Sequence, residues 1–189
     1  MKKNLKLNAK LLRKSDPTKK ELKKIKRTPI YLVLDRIIDT YNIGSLFRLA
    51  DAIAVEKTYL CGDMEYPPSS RIHKAAVGTE KWVPWVRHKS APDAIKELKN
   101  RKVQIIAIEQ HKKSTDYRLL TSDKIRFPVA IIAGNETEGL PKEVLNQADI
   151  IVELPMLGIN KSFNVWGSTA VVAYKVLESL FINQPKTED

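Results

Sequence analysis

The chain of 189 residues has a single cysteine, Cys61, and only three histidines. One cysteine excludes a disulfide framework and a thiolate metal cluster. Cys61 closes an apolar run and reads as a small buried residue. His73, His88 and His111 stand far apart, without the i, i+4 spacing that seats a metal on one helix face, so no metal is expected. No uninterrupted run of about 18 apolar residues occurs, and a membrane span is not expected. The N-terminus is basic but lacks the apolar core of a secretory signal, which points to a cytoplasmic protein. Three phosphate- and acyl-chemistry signatures are also missing. Without GxxxxGK[ST] there is no Walker-type NTPase, and without GxSxG no hydrolase nucleophile elbow. After the first strand the chain reads DRIIDTYNIGS rather than GxGxxG, which disfavours a dinucleotide Rossmann domain.

Acidic residues are scarce at one end. Twelve of the 33 Lys and Arg lie within residues 1–28, opposed only by Asp16 and Glu21, so this segment holds +10 of the net charge of +11. The sequence divides into a basic arm, 1–28, partly helical or flexible, and a nearly neutral body, 29–189. An arm this rich in Lys suits polyanions, because neutralising phosphates releases counterions. Lys in excess of Arg favours phosphate contact over bidentate reading of bases. Thr18 followed by Glu21 has capping-box spacing, and a short helix is expected over 19–27. Leu5, Leu7, Leu11, Leu12, Leu22 and Ile25 suggest that part of the arm folds back on the body or onto a partner.

The body alternates regularly. Apolar runs predict strands at 30–34, 57–61, 103–108, 129–133 and 150–154, with an edge strand over 81–86 because Pro84 cannot donate to a ladder. Helical spacing is read over 42–54, 69–77, 91–100, 141–146 and from about Ser162 to Phe181. Residues 115–120 are ambiguous. Strands and helices in turn predict an α/β fold, a mostly parallel sheet flanked by helices.

The most informative stretch is PVAIIAGNETEGLPKEVLNQADIIVELPMLGINKSFNVWGSTAVVAYKVLE, residues 128–178. Two strands each run into a loop rich in Gly, Asn and Glu or Ser. Glycine lets backbone approach a ligand closely, and small polar residues at helix starts supply donors. Two such loops predict a ligand cradle at the carboxyl edge of a parallel sheet. Taken singly, the polar residues have plainer roles. Asn42 and Ser162 read as helix caps, Arg48 as a surface cation and Glu136 as a turn acid.

Together they carry a resemblance. Asn42-Ile43-Gly44-Ser45-Leu46-Phe47-Arg48, then Gly134-Asn135-Glu136 with Glu138-Gly139-Leu140, then Leu154-Pro155-Met156-Leu157-Gly158 with Ser162-Phe163-Asn164-Val165, resemble in order and spacing the three signatures of the TrmH/SpoU-type RNA 2′-O-methyltransferases of the SPOUT superfamily. The similarity extends over nearly all of 29–182. Phe163 stands where that family usually has Leu, and Trp166-Gly167-Ser168 where it has small residues beginning Ser-Val-Ala. The resemblance implies a C-terminal deep trefoil knot (the SPOUT fold), built from about Val129 to Asn164. It implies S-adenosyl-L-methionine as cofactor, held mainly by backbone, with Gly134, Leu154, Met156 and Phe163 at the matching positions. Asn42, Arg48, Glu136, Ser162 and Asn164 match the catalytic set, with Glu136 placed to orient Arg48 or Asn42. It further implies a homodimer whose site is completed across the interface, and methylation of a ribose 2′-OH in structured RNA, a compact tRNA enzyme being expected before one for rRNA. The rival readings are a catalytically silent RNA-binding protein on the same scaffold and a different α/β enzyme for a nucleotide-like ligand.

Overall fold

The computed structural model describes residues 16–182. The arm residues before Asp16 and the tail after Ile182 lie outside that range. Within it, β1 (Thr28–Asp35), α2 (Thr40–Ala52), β2 (Val55–Cys61), α3 (Ser70–Ala76), β3 (Trp85–His88), α4 (Ala91–Asn100) and β4 (Gln104–Ile108) follow a short α1 (Lys19–Leu22). Then come β5 (Thr115–Asp116), β6 (Val129–Ala133), α5 (Lys142–Gln147), β7 (Ile150–Glu153) and α6 (Val165–Ile182). The seven strands form one sheet in the order β3-β2-β1-β6-β4-β7-β5, and every pairing is parallel.

Side chains alternate across a strand, and β1 is buried on both faces. Ile30, Leu32 and Leu34 join the core under α2 and α6, with Phe47, Leu46, Val172 and Val176. Tyr31 and Val33 turn the other way, to Ile95, Leu98 and Val144 of α4 and α5. The continuous apolar run of β1 is thus the signature of a central strand in a two-sided α/β sheet.

The expected strands and helices are present, with corrections of type and place. The edge strand read over 81–86 begins at Trp85, and Thr79–Lys81 is a 3-10 turn. Pro84 sits just ahead of the pairing, and its carbonyl accepts the Thr58 N–H. The C-terminal helix begins at Val165, not near Ser162. Asn164 provides its start: its Oδ1 accepts the Trp166 N–H at 2.9 Å and its carbonyl the Ser168 N–H. Residues 115–120 resolve into β5 and a 3-10 turn.

At the N-terminal side, the capping box is present: Thr18 N–H donates to Glu21 at 2.8 Å, and Glu21 N–H to the Thr18 hydroxyl. The helix it opens is one turn, shorter than 19–27. Leu22 and Ile25 pack against the core, and Arg27 donates to the Trp82 carbonyl at 2.7 Å.

Helix α6 has 18 residues, a mean hydropathy of 1.3 and a third of its length buried. By length and composition it matches a membrane-spanning helix, although no equally long run of uninterrupted apolar residues exists. It carries Lys175 and Glu178 as an ion pair, and its inner face packs on the sheet, as a core helix does.

Candidate active site

Parallel strands all end at one edge, so the loops that leave β1, β6, β4 and β7 converge there. Between them lies a cavity of about 470 Å³. It is lined by the loop after β6 (Gly134–Gly139), the loop after β7 (Leu154, Met156, Ser162–Val165), the end of β4 (Ile108–Gln110), Glu153 and Ser168. Such a volume lies within the range of pockets for ligands of nucleotide size.

All four residues expected to hold the cofactor, Gly134, Leu154, Met156 and Phe163, line this cavity, as do Glu136, Ser162 and Asn164. Asn42 lies just behind it. Its amide donates to Glu136 Oε1 at 2.9 Å, and its Oδ1 accepts from the Asn164 amide at 3.2 Å. Glu136 also accepts the backbone N–H groups of Ile38 at 2.8 Å and Asp39 at 3.0 Å. Burial pushes the Glu136 carboxyl upward, but the bonds from Ile38, Asn42 and Asp39 outweigh it and hold the group below its ordinary value. One carboxylate therefore ties the loop after β6 to the start of α2, and Asn42 passes the tie on to the start of α6.

Asn42 is not a helix cap. Asp39 caps α2, its carboxylate accepting the Tyr41 N–H at 2.8 Å, and Asn42 lies buried in the first turn. Ser162 is likewise no cap, since the helix starts three residues later. Arg48 is one and two-thirds turns beyond Asn42 and exposed. It makes no hydrogen bond or ion pair with the described residues and does not line the cavity, so Glu136 orients Asn42 and not Arg48.

Gly134 lines the cavity and also serves the packing of its own loop. A Cβ there would lie 2.8 Å from the Gly139 backbone and the Leu140 side chain, so the missing atom makes room for the loop's own return. The loop closes through an antiparallel bridge between Asn135 and Gly139, and Gly139 takes a positive φ of 65° with the Glu109 carboxylate against its Cα.

Three contributors escaped the sequence reading. Glu109 and Gln110 reach the cavity from β4; Glu109 accepts the Leu140 N–H at 2.7 Å, and the Gln110 amide donates to the Lys161 carbonyl at 2.5 Å. Arg36 leaves β1 at a φ of 53°, pairs with Glu138 at 2.6 Å and with buried Asp35 at 3.3 Å, and its carbonyl accepts from Asn135. The available signal was position alone: each stands at or just past the carboxyl end of a strand. Using it requires knowing that β4 inserts between β6 and β7.

Phe163 explains one of the family departures. A Cβ on residue 167 would sit 2.6 Å from the Phe163 ring, so the larger side chain at 163 is accommodated by glycine at 167.

A parallel α/β sheet whose carboxyl-edge loops close a nucleotide-sized cavity is a ligand-binding domain of the kind that hosts group-transfer enzymes. The chain belongs to the SpoU rRNA Methylase family, which matches residues 29–174. It is 30% identical over 145 residues to a Staphylococcus aureus protein assigned to the TrmH family of tRNA/rRNA methyltransferases, covering 77% of this chain and 57% of that protein. It is 28% identical to the tRNA (guanosine(18)-2'-O)-methyltransferase of Escherichia coli, covering 75% of this chain and 60% of that enzyme. The chain thus spans a little over half the length of these relatives. The AdoMet-bound rRNA methyltransferase from Sinorhizobium meliloti superposes with a TM-score of 0.75 at 28% identity, over 89% of this chain and 60% of that one.

Proposed function

We propose that this protein is an S-adenosyl-L-methionine-dependent RNA (ribose-2′-O)-methyltransferase. The observation that carries the reading is the Asn42–Glu136–Asn164 network on the wall of the cavity and just behind it, in a chain of this family. The cavity suits the cofactor chemically. It offers backbone groups from two loops, and its lining side chains include four carboxylates and no Lys, Arg or His, a donor set matched to a cation. Gly134, Leu154, Met156 and Phe163 would hold S-adenosylmethionine, which supplies an activated methyl on a sulfonium.

The chain's own residues then align the ribose and manage its proton. Glu136 fixes the Asn42 amide, so the Asn42–Asn164 pair presents a rigid polar edge beside Ser162. We assign the Arg48 guanidinium to holding the substrate phosphate and stabilising the developing alkoxide. Alkoxide character meeting sulfonium cancels charge, so a site with water excluded favours the transition state.

Since Arg48 does not line the cavity of its own chain, we assign its role to a site shared with a second copy. Exposed Leu157 and Ile159, beside an α6 face that shows Trp166, Tyr174 and Phe181 at helical spacing, provide an apolar surface for a homodimer. We further propose the C-terminal trefoil knot over about 129–164. It is supported by β4 lying between β6 and β7 and by α6 packing back beneath α2 and β6. The arm 1–28 contributes nonspecific phosphate contact, residues 29–189 form the catalytic unit, and the enzyme works in the cytoplasm. A tRNA is favoured over rRNA on the activity of the Escherichia coli relative.

The isolated position of Arg48 is what a catalytically silent RNA-binding scaffold would share. Transfer of tritiated methyl to tRNA and rRNA, with mapping of the 2′-O-methylated nucleotide, separates the two. Arg48→Ala is expected to cut transfer by more than a hundredfold with cofactor affinity unchanged. Cofactor binding without transfer to any RNA would select the silent scaffold.

A further inference from the structure

The four carboxylates around the cavity are not equivalent. Glu136 accepts from Ile38, Asp39 and Asn42. Glu138 is neutralised by Arg36 at 2.6 Å. Glu109 accepts the backbone N–H groups of Leu140 at 2.7 Å and Gln110 at 3.0 Å. Glu153, the last residue of β7, is only partly exposed, and its side chain makes no hydrogen bond or ion pair with the described residues. Its neighbour across the sheet is Asp116, whose charge is taken by Arg118 at 2.6 Å. Of the four carboxylates on the cavity wall, Glu153 is therefore the one with neither a hydrogen-bond donor nor a cation among the described residues.

We propose that Glu153 is a specificity-determining residue that makes the cavity prefer the cationic methyl donor to its neutral product, and so favours loading of fresh donor over retention of product. The inference rests on the reading of the cavity as the S-adenosylmethionine site. In the reaction the methyl C–S bond breaks, an O–CH₃ bond forms, the sulfur keeps the electron pair of the broken bond, and the ribose hydroxyl proton is released. The donor falls from a sulfonium to an uncharged thioether, S-adenosylhomocysteine. The attraction to Glu153 disappears with the methyl, while every contact to adenine, ribose and amino acid remains.

This attraction does not speed the chemistry. The sulfonium charge is already fading in the transition state, so Glu153 stabilises the bound donor more than the transition state. Its contribution lies in loading donor against accumulated product. A carboxylate at a partly solvated wall acting on one cationic ligand corresponds to about tenfold in affinity.

The test is calorimetric binding of S-adenosylmethionine, S-adenosylhomocysteine and sinefungin, which carries an amine near the sulfonium position, to the full-length protein. Glu153→Gln is expected to weaken the donor and sinefungin about tenfold and to leave the thioether product within about twofold. Glu143→Gln, an exposed acid on α5 outside the cavity, is expected to change none of them. In the wild type, added salt is expected to weaken the two cations more than the product. An unchanged donor-to-product ratio in Glu153→Gln overturns the proposal, and so does an equal loss of all three ligands. If that variant does not fold, equal salt dependence of the three ligands in the wild type overturns it. A cavity-filling Ser168→Phe variant separates the two levels. If it binds S-adenosylmethionine normally, the cofactor placement is itself wrong; if it does not bind while the Glu153→Gln ratio is unchanged, only the role of Glu153 fails.

Discussion

Two loops close the same cavity by opposite means. The loop after β6 is held by the chain itself. Glu136 takes three donors, Asn135 Oδ1 takes the N–H groups of Thr137 and Glu138, and Leu140 N–H is bound by Glu109. The loop after β7 has few ties, chiefly Gln110 to the Lys161 carbonyl and Asn42 to Asn164. Its apolar residues Leu157 and Ile159 are 95% and 100% exposed. The first loop is preorganised, so a ligand meeting it has little ordering left to do. The second presents apolar surface that the single chain does not cover, and its order is expected to come from cofactor and partner.

The largest effect is expected where the first loop is tied. Glu136→Ala leaves two backbone N–H groups and the Asn42 amide without their acceptor. Methyl transfer is expected to fall more than a hundredfold and stability by about 2 kcal/mol, read by turnover and by urea unfolding. Near-normal transfer would mean that the loop after β6 does not need its brace.

The second loop should respond differently. Ile159→Asp is expected to leave unfolding of the chain unchanged within about 0.5 kcal/mol, yet to raise the dimer dissociation constant about tenfold or more, measured by sedimentation. A monomer–dimer equilibrium that ignores this change would put the interface elsewhere.

Phe163 and Gly167 sharpen the contrast at the point where the second loop enters α6. Gly167→Ala alone drives a Cβ into the Phe163 ring and should cost about 1–2 kcal/mol, despite the better helix propensity of alanine. Phe163→Leu in the same chain should recover most of it. An additive double-mutant cycle would show that the two residues are not coupled.

The smallest effect is a pH dependence confined to the first loop. The Glu136 carboxyl is held low in the folded protein, where three hydrogen bonds outweigh burial. Its stabilisation is present at neutral pH and is lost as pH falls through its folded-state value. Glu136→Gln should therefore flatten the acid side of the stability curve. An acid limb of the same slope in the variant would assign acid sensitivity to other carboxylates.

Much of this architecture can be read from the sequence because it is local. Period-2 and helical spacing, capping residues and the placement of Pro and Gly report which face of each segment is apolar and where it stops. That is why β6 and α4 fall on the residues expected, and why the Thr18–Glu21 box is present. The boundaries that differ most are the end of α1 and the starts of β3 and α6, where more than one residue could open or close the element. Asn164 was available as a start signal for α6, but Ser162 offered the same chemistry two residues earlier.

By itself the sequence determined the family, the alternation of strands and helices, the two polar loops and the basic arm, since each depends on residue type and short-range spacing. Only the tertiary structure decided which of these meet. Asn42 and Glu136 lie 94 residues apart and Asn42 and Asn164 lie 122 apart, yet they form one network. The order β6-β4-β7 brings Glu109 to the cavity, while Arg48, exposed on α2, does not line it. Periodicity records that a strand is buried but not its neighbour. Strand order is set by the packing of distant segments, and it places Glu153, unpaired among the described residues, on the wall of the cavity.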